Sequence, residues 1–221
     1  MNYREHTDPF RPRRTDQERG TELLLVRHGQ SVFNRDGEVA GTDSPLTDLG
    51  WRQARLVADW LAENHQVQAL YTSPMRRALQ TAQVVADRLG LTITIKDGLR
   101  EAETWYVDEL PRGGGPFALR NDGRWQITAK TAPIYHQFRE EILQALEEIL
   151  TESWGKTIVV VSHGGTMATI VRSLMGGHAV AVHSDNTAIH KFYWQDNRWY
   201  LEYLNRREHL LGGGLTEEGN P

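Results

Sequence analysis

The stretch LLLVRHGQSVFN, residues 23–34, decides how this chain is read. Leu23, Leu24, Leu25 and Val26 are apolar on both faces, the pattern of a short strand buried inside a parallel sheet. The run stops abruptly at an arginine, a histidine and a glycine. In open α/β sheets, ligands sit beyond the carboxyl ends of the strands. Arg27 and His28 are therefore aimed at such a place, and two basic side chains there imply an anion.

The same arrangement recurs. Thr157–Val161 is a second apolar strand, and it runs into Ser162-His163-Gly164-Gly165. Ala69–Thr72 is shorter and runs into Ser73-Pro74-Met75-Arg76-Arg77. Burying so much positive charge at three strand ends without a counterion is costly, and a bound dianion resolves the cost. Arginine suits phosphate because its planar fork makes paired hydrogen bonds and stays charged. Neutral histidine offers a ring lone pair near pH 7, as a nucleophile must. Together they point to phosphoryl transfer through a phosphohistidine, with arginines supplying the charge neutralisation that magnesium supplies elsewhere.

Helices separate the strands. Thr47 and Asp48 offer capping oxygens before Leu49, Gln53, Leu56, Val57, Trp60 and Leu61, which recur at helical spacing. Ser73-Pro74 reads as the capped opening of a helix with Met75, Ala78, Leu79, Ala82, Val85, Ala86 and Leu89 on one face, ended by Gly90. Leu91–Ile95 alternates like a strand near an edge. Pro133–Leu150 reads as a helix with Tyr135, Phe138, Ile142, Leu146 and Ile149 inward, and Met167–Leu174 as another. Thr187–Trp194 and Trp199–Leu204 read as two strands joined by the turn 195–198. Alternating strands and helices argue for a three-layer α/β/α sandwich around a mostly parallel sheet.

At 221 residues the chain fits one domain. Residues 1–20 are expected to be a mobile N-terminal tail and 206–221 a polar C-terminal tail. The domain spans 21–205, with a lid-like insert at 102–130, where no period is sustained. The net charge of −4 recruits neither nucleic acid nor an anionic membrane, so any anion site must be local. The absence of cysteine excludes disulfides and thiolate chemistry. With no apolar run long enough for a membrane and no signal-peptide pattern, a cytoplasmic protein is expected. No cofactor and no metal are expected: His178, His183 and His190 lack a metal-binding pattern and read as surface or loop histidines. Arg112-Gly-Gly-Gly lacks the Lys-Ser or Lys-Thr of a phosphate-binding loop. Trp51 and Trp60 read as packing, and Trp105, Arg124 and Trp125 as residues that shape access or structure. A homodimer is compatible with an exposed edge near 187–204.

The segments RHGQSVFN, PLTDLGWRQA, SPMRRALQTA, LRE and VVVSHGGT resemble, in this order, the histidine phosphatase superfamily, the phosphoglycerate mutase-like group. The resemblance runs from about residue 22 to 205. It implies that His28 is the nucleophile, Arg27 and Arg77 the phosphate clamps, and His163 the donor to the phosphoryl oxygens in the transition state. Arg76 matches a variable position. Asn34 corresponds to a phosphate-contacting asparagine, with Gln30 and Ser31 in the same loop; Gly41 and Gly164 fall where backbone approaches the substrate. Glu101 resembles the proton donor to the leaving group. Many relatives carry a glycine about three residues after that glutamate, whereas this chain reads Ala102-Glu103-Thr104-Trp105, which makes Glu103 a second candidate. The implied activity is hydrolysis of a small phosphorylated metabolite. Mutases of the family carry a basic insert, with the acid followed by an arginine and then a Tyr-Gly pair, neither of which follows Glu101. A cofactor-dependent phosphoglycerate mutase is the alternative enzyme. A non-catalytic phospho-ligand-binding protein is the alternative of another class, although all four basic site residues are present.

Overall fold

The structure is a computed structural model that describes residues 20–37, 41–102, 106–110 and 127–212. Most of both expected tails and of the expected lid, with Glu103, Trp105, Arg112, Arg124 and Trp125, lies outside the described residues.

The first strand, β1 (Glu22–Arg27), and the later apolar strand, β4 (Thr157–Ser162), pair in parallel at the centre of a six-stranded sheet. Outward from β4 lie β2 (Ala69–Thr72) and the edge strand β3 (Ile93–Ile95), both parallel to it. On the other side, β5 (Ile189–Gln195) runs antiparallel to β1, and β6 (Arg198–Arg206) antiparallel to β5. The order is therefore β3-β2-β4-β1-β5-β6. Asp196 and Asn197 both take positive φ, +50° and +57°, as a two-residue hairpin turn requires.

Because side chains alternate across a strand, each apolar strand feeds two cores. Leu24, Val26, Val159 and Val161 face α2 (Asp48–Asn64) and α3 (Arg76–Leu89), through Val57, Leu61, Ala78, Ala82 and Val85. Leu23, Leu25, Ile158 and Val160 face α4 (Pro133–Glu152) and α5 (Gly164–Met175), through Ile142, Leu146, Ile149, Met167 and Ile170. This is the expected three-layer sandwich. No helix among the described residues is long and apolar enough to cross a membrane.

Several local expectations are corrected. Ser73 does not cap α3: the N-cap is Met75, and the Ser73 hydroxyl instead accepts from the Met75 N–H and meets His163. A one-turn helix, α1 (Val32–Asp36), closes the loop after β1. The chain does not become a tail at residue 206. Arg206 still belongs to β6, and α6 (Glu208–Gly212) packs back on α2. His190 is not a surface histidine but is fully buried in β5. Within 102–130, Ala102, Tyr106, Leu110 and Ile127 pack on the core beneath α4 and α5.

Candidate active site

The register of the central pair builds the site. Arg27 lies opposite Ser162, so His28 and His163 leave adjacent parallel strands in step. The His28 N–H donates to the Ser162 carbonyl at 2.9 Å. Their rings stand 5.1 Å apart between centroids, and both are buried.

The tautomer of His28 follows from its partners. Nδ1 lies 2.7 Å from the carbonyl oxygen of Gly29. A carbonyl only accepts, so Nδ1 carries the proton and Nε2 is left with its lone pair. Arg77 Nε donates to that lone pair at 3.0 Å. Burial, then the charges of His163, Arg77 and Arg27, hold the His28 pKa well below its usual 6.5. His28 is thus a neutral, oriented base.

Arg77 stands on the first turn of α3 and is buried; besides His28 it donates to the Thr42 carbonyl at 2.6 Å. Arg76 is exposed and points elsewhere. Arg27 is half-buried and donates through Nη1 to the Ser184 carbonyl at 2.6 Å, while its Nε has no partner among the described residues. Burial lowers the pKa of both arginines, and Glu101 opposes that shift in each. His163 Nε2 meets the Ser73 hydroxyl at 2.8 Å, and its buried Nδ1 has no partner among the described residues. Burial, then Arg77, Arg27 and Arg100, keep His163 neutral. Two guanidiniums and an unpartnered ring nitrogen fit an anion with several oxygens.

Glu101 sits across from these groups. Its Oε2 accepts from the Gly165 N–H at 2.9 Å and its Oε1 from the Ala102 N–H at 3.1 Å. Burial raises its pKa, against the lowering effect of both N–H donors and then of Arg77 and Arg27. Gly165 leaves room for these groups: a Cβ would lie 2.4 Å from Glu101 Oε1 and 2.6 Å from the Tyr106 hydroxyl, and both side chains would have to shift. The Tyr106 hydroxyl is itself pushed up to about 12 by burial and by Glu101.

The loop residues are held rather than free. Gln30 donates its N–H to Gln53 Oε1 and accepts from the Thr47 hydroxyl, each at 2.8 Å. Ser31 and Asn34 form the reciprocal capping box of α1, which fixes Asn34 Oδ1 and leaves its amide nitrogen able to donate. Gly164 opens α5, where a Cβ would lie 3.7 Å from Arg27 Nε. Gly41, with φ of +74°, is exposed.

Sequence reading missed a supporting loop, 184–187. Ser184 holds Arg27, Asn186 Nδ2 donates to the His28 carbonyl at 3.0 Å and to Asn34 Oδ1 at 3.3 Å, and Asp185 lends negative charge to Arg27. Four successive polar residues ahead of an apolar strand are the available signal, and the expected strand Thr187–Trp194 takes in the last of them.

Known proteins resemble this chain in sequence and fold. The model of the histidine phosphatase superfamily (branch 1) matches residues 23–207. A glucosyl-3-phosphoglycerate phosphatase from Mycolicibacterium vanbaalenii is 32% identical over 173 residues, 70% of this chain and 74% of that protein. A metal-independent phosphoserine phosphatase from Arabidopsis thaliana is 25% identical over 211 residues, 90% of this chain and 87% of that protein. Among solved structures, a mutant phosphoserine phosphatase from Entamoeba histolytica in complex with phosphoserine is 26% identical with a TM-score of 0.63, covering 86% of this chain and 99% of that one. With a histidine directly after each of β1 and β4 and a family model that matches residues 23–207, the chain belongs to the histidine phosphatase superfamily, branch 1.

Proposed function

We propose that the protein hydrolyses phosphate monoesters of small metabolites through a phosphohistidine on His28. The observation that carries this reading is the His28 ring itself: its proton is committed to the Gly29 carbonyl, and its Nε2 lone pair lies against Arg77. A phosphoryl group bound between Arg27 and Arg77 takes the place of Arg77 Nε on that lone pair. Nε2 attacks phosphorus, the bond to the leaving oxygen breaks, and Glu101 gives that oxygen its proton. Water then attacks the phosphohistidine, the P–N bond breaks, and Glu101 takes the proton back. The raised pKa of Glu101 suits this double duty.

His163 donates to the phosphoryl oxygens as charge builds, and the guanidiniums neutralise it. Asn34 and the backbone of Gly164 contact the same group, Gln30 and Ser31 shape its loop, and Gly41 lines the approach. Among the described residues no cluster of His, Asp or Glu is placed to hold a metal ion, and no step above requires one. The relatives' names point to phosphorylated carboxylic acids as the substrate class, phosphoserine among them.

The test is a panel of phosphate monoesters assayed in excess chelator, with protein quenched and kept at alkaline pH analysed by mass spectrometry. Phosphate release with an acid-labile phosphoryl group on His28 is expected. Activity abolished by chelator and restored by a divalent cation would refute the mechanism.

A further inference from the structure

Thr187 is fully buried and has φ of +59°. A β-branched residue in the left-handed region is strained by about 1–3 kcal/mol, and its surroundings must hold it there. The strain borders the site. The Thr187 N–H donates to the carbonyls of Arg27, at 3.1 Å, and His28, at 3.3 Å. The neighbouring Asn186 side chain reaches the same His28 carbonyl. The peptide that carries the nucleophile is therefore fixed by a residue in an unfavourable conformation.

What holds Thr187 comes from the end of the chain. Its hydroxyl has one hydrogen, which goes to the Asn186 carbonyl at 2.7 Å. The contact with His209 Nε2, at 3.0 Å, must then be a donation from the imidazole to the hydroxyl oxygen. His209 is buried on α6, its ring 6.4 Å from that of Trp60 on α2. Burial lowers its pKa to about 4, so it is neutral, with its proton on Nε2. Nδ1, without a partner among the described residues, carries the lone pair. The family match ends at residue 207, before this histidine.

We infer that His209 is a positioning residue of the active site: by donating to the Thr187 hydroxyl it holds the left-handed backbone that presents N–H groups to the Arg27 and His28 carbonyls. The C-terminal helix then belongs to the catalytic frame. The assay rests on the phosphatase reading above.

The experiment compares His209→Leu, which fills the space without a donor, with His209→Gln, whose amide can donate. Each is made alone and in a Thr187→Gly background, where glycine adopts positive φ without strain. With nitrophenyl phosphate, His209→Leu should slow the nitrophenolate burst about tenfold while the substrate dissociation constant, read from the concentration dependence of the burst, changes less than about twofold. His209→Gln should recover to within about threefold, and in Thr187→Gly the leucine substitution should cost less than about twofold. A correctly folded His209→Leu with a wild-type burst, a glutamine variant as slow as the leucine one, or an undiminished loss in the glycine background overturns the inference. Should the leucine variant not fold, ¹⁵N-histidine spectra of the wild type decide: the Nε2–H tautomer of His209 is required, and Nδ1–H overturns it. A wild type inert towards every ester would refute the phosphatase reading, while the spectra would still decide the role of His209.

Discussion

Lowering the pH from 7 to 5 should destabilise this protein markedly, and its buried histidines set the scale. His28, His163, His190 and His209 are each less than a tenth exposed, and burial is the first cause of a lowered pKa in every one. His190 and His209 fall to about 4. In the unfolded chain each titrates near 6.5, so below that pH the unfolded state binds protons that the folded state refuses. The stability is fully present above about 6.5 and drains away as pH falls. At 1.36 kcal/mol per pH unit below 6.5, His190 and His209 each cost about 2 kcal/mol by pH 5, about 4 kcal/mol together, and His28 and His163 add to the loss in the same direction. Glu101 opposes this, since it holds its proton more tightly when folded, but it is a single group. Against a typical domain stability of about 5–15 kcal/mol the loss is large. Urea denaturation followed by fluorescence, in phosphate-free buffers from pH 7 to 5, should show a midpoint that falls steeply with pH. A constant midpoint, or imidazole titrations centred on 6.5 for these four residues, would refute the reasoning.

Glu101→Gln should slow alkyl phosphates by about 10² to 10³ and nitrophenyl phosphate far less, because a nitrophenolate leaves without a proton; steady-state rates on both esters check this, and equal losses would move the acid elsewhere. The same substitution should become relatively more stabilising as pH rises from about 4.5, because a raised carboxyl pKa contributes stability that is lost on ionisation; paired urea titrations read the difference. Gly165→Ala places a methyl against Glu101 Oε1 and the Tyr106 hydroxyl, so its loss should mirror that of Glu101→Gln across leaving groups. Ser73→Ala strips His163 Nε2 of its partner, and should cost about 1–3 kcal/mol in stability together with turnover, measured by melting and by kcat.

The strands and the long helices were legible because two-sided apolar runs and helical spacing report burial directly. Leu23 to Val26 and Ile158 to Val161 are indeed buried on both faces. The basic residues at the strand ends were legible as a group because they follow those runs. What the sequence hid were contacts between residues far apart in the chain. Ser73 looks like a helix cap, and only the placement of β4 beside β2 shows its hydroxyl turned to His163. His190 and His209 look like surface residues because a single histidine carries no signature of its own burial. Residues 184–187 carry no periodicity, so their support of Arg27 and His28 becomes visible only in three dimensions.

The position of β1 has a consequence for how the protein comes to exist. The first strand to be synthesised sits between the fourth and the fifth. Until β4 and β5 have emerged from the ribosome, β1 has no neighbour on either side, and its apolar faces stay open to water and to chaperones. Such long-range parallel pairing is slow, since the loop entropy must be met before the contacts form. His28 and His163 can meet only in that step, so a truncated nascent chain carries the nucleophile but no site. Activity thus reports that nearly the whole chain has been made.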